Sequence, residues 1–232
     1  MGTSGHYCPV AEAGNVLGDR WSLLVLREMV SGATRFNDIE RGLPGISRPL
    51  LVKRLRHLVT QGVIEAVPLP SGRGHEYHLT AAGRDLQPVI GALAGWGARW
   101  LLDEPSETDL DPHFLVWAMH RRVNLDRLPP GRTVMRFDVL HERRDVVWML
   151  LSAEEVSVCR TDPGFEVDVQ LTAHGTSLLR VWAGWSELAA EVAAGRVVVT
   201  GRPALVRKWP SWFAWAPYRD IVRSRVLERH AG

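Results

Sequence analysis

The chain has 232 residues, 46% hydrophobic and 23% charged, with a formal net charge of +2. That composition excludes wholesale disorder and a globally basic surface, and the length fits two domains of ordinary size. With only Cys8 and Cys159 there is no disulfide framework, and no apolar run approaches the roughly 18 residues that a membrane span requires.

The N-terminus, MGTSGHYCPV, has no apolar signal core, so the chain is expected to be soluble and cytoplasmic, with no membrane partner. After a turn at Asn15–Asp19, WSLLVLREMVSG sets Trp21, Leu24, Val25 and Met29 on one helical face, and Gly32 ends the helix. RFNDIERGLPG predicts a second, shorter helix carrying Phe36 and Ile39. Pro44 and Gly45 then make a tight connection, and Ser47 is placed as N-cap of a third helix, with Pro49 in its first turn. This helix runs to about Thr60; Leu51, Leu55 and Leu58 recur at i, i+4, i+7 and predict its buried stripe. Its other residues include Arg48, Lys53, Arg54 and Arg56 and no acid; the segment 35–75 as a whole has 7 basic and 3 acidic residues.

The period then changes to two. VIEAV and HEYHLT alternate around the turn formers PLPSGRG, which predicts a β-hairpin with Arg73 at its tip and His75 beside it. Thr80 is expected to cap one long helix, AAGRDLQPVIGALAGWGARWLLD, apolar on Leu86, Val89, Leu93, Trp96 and Trp100. The acidic stretch 103–112 is read as a linker between a domain at 1–102 and another at 113–232. In the second domain HFLVWAMHRRVNLDRL reads as helical. TVMRFDVLH, VVWMLLSA, EVSVCRT and EVDVQLTA read as a meander of four strands. Helical HGTSLLRVWAGW and SELAAEVAAG, a strand RVVVTG and a last helix PALVRKWPSWF follow. The predicted class is α+β: an N-terminal winged helix-turn-helix, then a largely antiparallel sheet with helices on one face.

Helix, helix, basic helix and hairpin, in that order, suit DNA. The major groove admits one α-helix, whose N-terminal residues reach base edges. Ser47 and Arg48 are thus the candidate readers. Lys53, Arg54 and Arg56, with Arg35, Arg73 and His75, are candidates for backbone contacts that set affinity. In isolation, four helical cations are more often just a solvated face; the hairpin directly behind favours DNA.

CPV, GDRWSLLVLREM, RFNDIERGLPGIS, LLVKRLRHLVTQGVIE and HEYHLTAAGRDL together resemble the HxlR family of bacterial winged-helix regulators, across residues 6–102. The resemblance implies a homodimer on a palindromic operator, usually as a repressor, with Pro9–Leu17 and Ala81–Leu102 packing across the dimer. It also implies a redox candidate in Cys8, for which a small packing residue is the plainer reading.

Further on, DPGFEVDVQLT, LLRVWAGWSELAAEVAAGRVVVTG and LVRKWPSWF resemble the sterol-carrier-protein-like fold, which implies an apolar cavity between helices and sheet. Seven of the ten tryptophans follow residue 103, which suits a hydrophobic or aromatic small-molecule effector. Trp117, Trp148, Trp182, Trp185, Trp212 and Phe213 are its candidate contacts; core packing is the alternative for each.

His120, His141 and His174 lack metal-ligand spacing. G-x-S-x-G, HExxH and glycine-rich phosphate loops are absent, so neither catalysis nor a cofactor is expected. Two other readings stay open: a small-molecule binding or transfer protein that uses the helix-turn-helix only to dimerise, and a thiol regulator working through Cys8.

Overall fold

A computed structural model describes residues 7–70 and 74–231. The chain divides into two compact units, Met1–Leu93 and Ala94–Gly232. The first holds α1 (Pro9–Leu17), α2 (Arg20–Val30), α3 (Phe36–Arg41), α4 (Arg48–Thr60), the hairpin β1 (Ile64–Pro68) and β2 (His75–Leu79), α5 (Ala81–Asp85) and the start of α6 (Gln87–Trp100).

Local chemistry explains these bounds. Asp19 caps α2 by accepting the N–H groups of Trp21 and Ser22. Gly45, at φ +86°, allows the left-handed turn between α3 and α4. Ser47 occupies the N-cap position of α4, but its side chain makes no capping hydrogen bond. Leu51, Leu55 and Leu58, all essentially inaccessible, enter a core with Val25, Leu26, Met29, Ile39, Leu43 and Ile64. The hairpin pairs Ile64 with Leu79 through Pro68 with His75; only Ile64 of β1 is buried, so the alternation seen in VIEAV does not correspond to two distinct faces.

The single long helix expected after Thr80 is broken at Leu86. Thr80 caps only α5, accepting from Gly83 N–H. Pro88 lacks the N–H that would bond the carbonyl four residues back, and α6 starts afresh beside it. Val89, Leu93, Trp96 and Trp100 on α6 are 41–65% exposed, an apolar stripe at i, i+4, i+7, i+11.

The second unit adds α7 (Pro112–His120), β3 (Thr133–Leu140), β4 (Arg144–Leu151), β5 (Val156–Cys159), β6 (Val169–His174), α8 (Ser177–Ala183), α9 (Leu188–Ala193), β7 (Val197–Gly201), α10 (Pro203–Lys208) and α11 (Arg219–Ala231). The five strands lie in the order β5-β4-β3-β6-β7. Three form the expected meander, but β6 runs parallel to β3, with Phe137 opposite Leu171, and β7 returns antiparallel to β6. A parallel neighbour requires a crossover, which the 160–168 connection supplies in place of a hairpin.

One parity of the sheet (Met135, Phe137, Val147, Met149, Leu171, Ala173) joins α7, α8 and Trp209–Phe213 in the main core. The other parity carries Asp138, fully buried, which accepts from Arg136, Arg144 and Gln170.

Three further expectations are corrected. The helix of 113–128 stops at His120, because the next residues are drawn into tertiary pairing: Asn124 N–H donates to Trp212 carbonyl and Arg122 to those of Ala214 and Trp215. PALVRKWPSWF divides into α10 and a 3-10 turn at Trp209–Trp212, which contains Pro210. The last helix is α11, whose charged sequence hides a narrow apolar edge at Val222 and its neighbours.

That edge packs on Ala98, Ala183 and Trp185, and Arg225 donates to the carbonyls of Ala98 and Leu102 at the C-terminus of α6. The division between units therefore falls within α6, ahead of 103–112. Residues 103–112 are themselves structured by a 3-10 turn with a Ser106–Asp109 capping box and by Asp111 capping α7.

Leu55→Ala is expected to lower the unfolding free energy by about 2–5 kcal/mol, read from urea denaturation, because the cavity opens in the middle of the α4 stripe.

Candidate nucleic-acid interface

With Leu51, Leu55 and Leu58 turned into the core, helical geometry fixes the direction of every other residue of α4. Pro49, Lys53, Arg56 and Thr60 run along the opposite, solvent-facing side, and all four are exposed. Arg48 and Arg54 lie on the two flanks, and each is tied to a neighbour.

Arg48 donates from Nε and Nη2 to Glu40 Oε1 and Oε2 at 2.8 and 2.9 Å, and from Nη2 to Asn37 Oδ1 at 3.3 Å. Its guanidinium lies 5.7 Å from the centre of the Phe36 ring. Hydrogen bonding to Glu40, then its charge, raises the Arg48 pKa above the ordinary arginine value. Arg54 bonds Asp19 Oδ2 at 2.9 Å with only a fifth of its side chain exposed. Since Asp19 Oδ1 also caps α2, the Arg54 ion pair fastens α4 to the start of that helix.

The four cations thus separate into two kinds. Lys53 and Arg56 face solvent and make no ion pair among the described residues; Arg48 and Arg54 are held by carboxylates. Ser47 is exposed at the N-terminus of α4, with its hydroxyl uncommitted to the cap. Arg35 sits one residue ahead of α3 and pairs with Glu76 of β2 at 3.3 Å, while Tyr77 N–H donates to Thr34 carbonyl; together they pin the hairpin beside α3. His75 is exposed at the start of β2, and Arg73 falls outside the described residues.

Between α4 and β2 runs an open groove of about 430 Å³, lined by Val52, Arg56, Val59, Thr60, His75 and Tyr77. The sequence pattern picks out two of these six, Arg56 and His75. Val52, Val59 and Tyr77 look like ordinary partly buried positions until the hairpin is folded against the helix. The acidic partners Glu40 and Asp19 are likewise invisible in sequence, being eight and thirty-five residues from the cations they hold. The interface offers cations, a hydroxyl and a rigid helix end to an anionic polymer, as groove recognition requires.

Cys8 is half-buried at the N-cap position of α1 and makes no side-chain capping hydrogen bond.

The six aromatic candidates of the second unit do not converge on one site. Trp182, Trp212 and Phe213 share the main core, together with Trp209 and Trp215. Trp185 belongs to the small core against α11 and the end of α6. Trp148 lies on the other face of the sheet, 5.7 Å from the Arg136 guanidinium, and Trp117 stacks on His120 at 4.1 Å. The buried indole N–H groups of Trp148, Trp185 and Trp212 have no hydrogen-bond partner among the described residues.

Residues 16–105 match the family described as HxlR-like helix-turn-helix. Over 108 residues, 46% of this chain and 80% of the relative, it is 41% identical to the HTH-type transcriptional regulator sll1512 of Synechocystis sp.. It is 34% identical to the HTH-type transcriptional regulator YvaP of Bacillus subtilis, covering 47% of this chain and 94% of that one. It is 47% identical to the HTH-type transcriptional regulator Rv3095 of Mycobacterium tuberculosis, covering 40% of this chain and 58% of that one.

Arg54→Met is expected to cost about 1–2 kcal/mol of stability, and Arg56→Met nothing measurable, because only the first breaks a partly buried ion pair. Thermal unfolding of the two variants side by side checks this.

Proposed function

The chain belongs to the HxlR-like helix-turn-helix family, and from that premise we propose that it is a dimeric DNA-binding transcriptional regulator, acting as a repressor on a palindromic operator. The observation that carries this reading is the solvent side of α4. Lys53 and Arg56 stand there without ionic partners among the described residues, behind an open N-terminus bearing Ser47 and beside a groove walled by the hairpin strand. Such a helix lies in the major groove with Ser47 and Arg48 nearest the bases, while Lys53 and Arg56 neutralise phosphates. Arg54 has a different part: it orients the helix and touches no DNA.

The dimer is supported by surface that one copy leaves uncovered. α1 buries none of its residues, and Val89, Leu93, Trp96 and Trp100 form an exposed stripe on α6. A contiguous apolar stripe of this kind asks for a partner, and a second copy of the same helix offers a self-complementary one. Two-fold pairing sets two recognition helices about 34–36 Å apart, one turn of DNA.

We propose further that the second unit, a sterol-carrier-like domain, takes a hydrophobic or aromatic effector that releases the operator. Supporting this are helices gathered on one face of the sheet and the buried Trp212 indole N–H, which has no acceptor among the described residues in a core it shares with Trp182 and Phe213. A ligand that brings a carbonyl to this N–H would satisfy it. Release follows only if that ligand binds the free and DNA-bound states unequally.

Two measurements check these statements. Fluorescence anisotropy against the duplex upstream of its own gene should show Lys53→Ala and Arg56→Ala each weakening binding and flattening the log–log salt slope by about 0.9. Unchanged slopes would remove the phosphate role. In sedimentation equilibrium, Leu93→Glu should convert the dimer to monomer; a variant that stays dimeric would move the interface elsewhere.

A further inference from the structure

Arg48 is the residue that sequence places at the bases, yet its guanidinium is already engaged. Glu40 takes its Nε and Nη2 donors, and Asn37 takes a second donor from Nη2. Three of five N–H donors are spent, leaving only those on Nη1. A guanine accepts two parallel N–H groups at O6 and N7, and every parallel pair that a guanidinium can present includes Nη2. Guanine readout by Arg48 therefore requires a bond to be released, either that of Glu40 to the Nε–Nη2 pair or that of Asn37 to the Nη2 hydrogen beside Nη1. A phosphate oxygen, by contrast, meets through Nη1 a cation whose charge Glu40 has already cancelled.

Building on the proposed role in DNA binding, we propose that Glu40 is a specificity-determining residue of the interface: it withholds Arg48 from the phosphate backbone and leaves it to a base edge with paired acceptors. The arrangement suits this. The pair is exposed enough for DNA to compete with it, since two-thirds of the Arg48 side chain and a quarter of that of Glu40 are accessible. Glu40 is on α3, which the buried Ile39 fixes in the core, so the carboxylate stays in place when Arg48 leaves. The Phe36 ring beneath the guanidinium keeps Arg48 near the start of α4 in either state. Two other tied cations near the interface show the contrast. Arg54 is too enclosed to exchange partners, and Arg35 pairs with Glu76 by a single longer contact.

Glu40→Gln keeps the size of the side chain and removes its charge. Binding is measured by anisotropy on two duplexes, the region upstream of its own gene and a shuffled sequence of equal composition. The variant should bind the shuffled duplex about five-fold more tightly, with a salt slope steeper by about 0.9, one phosphate's worth. Affinity for the upstream duplex should rise less, so that discrimination narrows. Arg48→Ala added to Glu40→Gln should erase the gain. Asn37→Ala, which frees an Nη2 donor but leaves the ion pair intact, should keep the wild-type affinity for the shuffled duplex and the wild-type slope. A steeper slope in this variant would show that the ion pair does not withhold Arg48, and the variant serves as the test if Glu40→Gln does not fold. If the wild type discriminates and Glu40→Gln matches it in affinity and slope, Glu40 has no such role. Equal weakening on both duplexes would make it a packing residue and overturn the inference too. A wild type that does not discriminate overturns the regulator reading, and this inference with it.

Discussion

The burial of three leucines on one side of α4 is the constraint on which the rest of the interface depends. Leu51, Leu55 and Leu58 have no accessible surface to speak of, and each contributes about 1.5–3 kcal/mol by leaving water. Their greater consequence is angular. Once the stripe is seated, rotation of the helix about its axis is fixed to within a fraction of a residue, and with it the direction of every cation. Lys53 and Arg56 have nowhere to point but solvent. Arg48 and Arg54 fall on the flanks, within reach of α3 and of the start of α2, and acids wait at both places. A helix that reads as uniformly basic is thus a central pair of uncommitted charges between two restrained ones.

The second unit is organised around a comparable opposition. One parity of its sheet is apolar and receives the helices; the other centres on Asp138, an inaccessible carboxylate satisfied by Arg136, Arg144 and Gln170. A buried carboxylate with this many donors is well compensated, and removing any one of them weakens that compensation in a place where solvent cannot replace it. At the other edge of the unit, α11 folds back over the end of α6, where Arg225 satisfies carbonyls that the helix itself leaves open. The last segment of the chain thereby stabilises the helix whose opposite face carries exposed Trp96 and Trp100.

Much of this was legible in the sequence wherever the signal was local. The leucine spacing, the glycine turns and the strand-like runs that become β3, β4 and β6 each depend on residues a few positions apart, whereas the turn expected at Asn15–Asp19 is shorter, because α1 continues to Leu17. What could not be read depended on distance along the chain. Nothing near Arg48 announces Glu40, and nothing near Arg54 announces Asp19, so cations of different roles looked alike. The parallel placement of β6 is a choice of neighbour that four similar apolar strands do not encode separately. α11 carries no clear helical pattern in the sequence, because Arg219, Asp220, Arg223, Arg225, Glu228 and Arg229 outweigh the few apolar residues that hold it. The tryptophans share a composition but not a place: three-dimensional packing puts Trp148, Trp185 and Trp212 in three different environments.

In the proposed complex, two copies present α4 to successive turns of one operator. Hydroxyl-radical footprinting on the duplex upstream of its own gene tests it most directly. Two protected patches related by two-fold symmetry, with centres about 10 base pairs apart, are expected on that duplex and not on a shuffled one. A single patch, uniform protection of both duplexes, or no protection at all would contradict it.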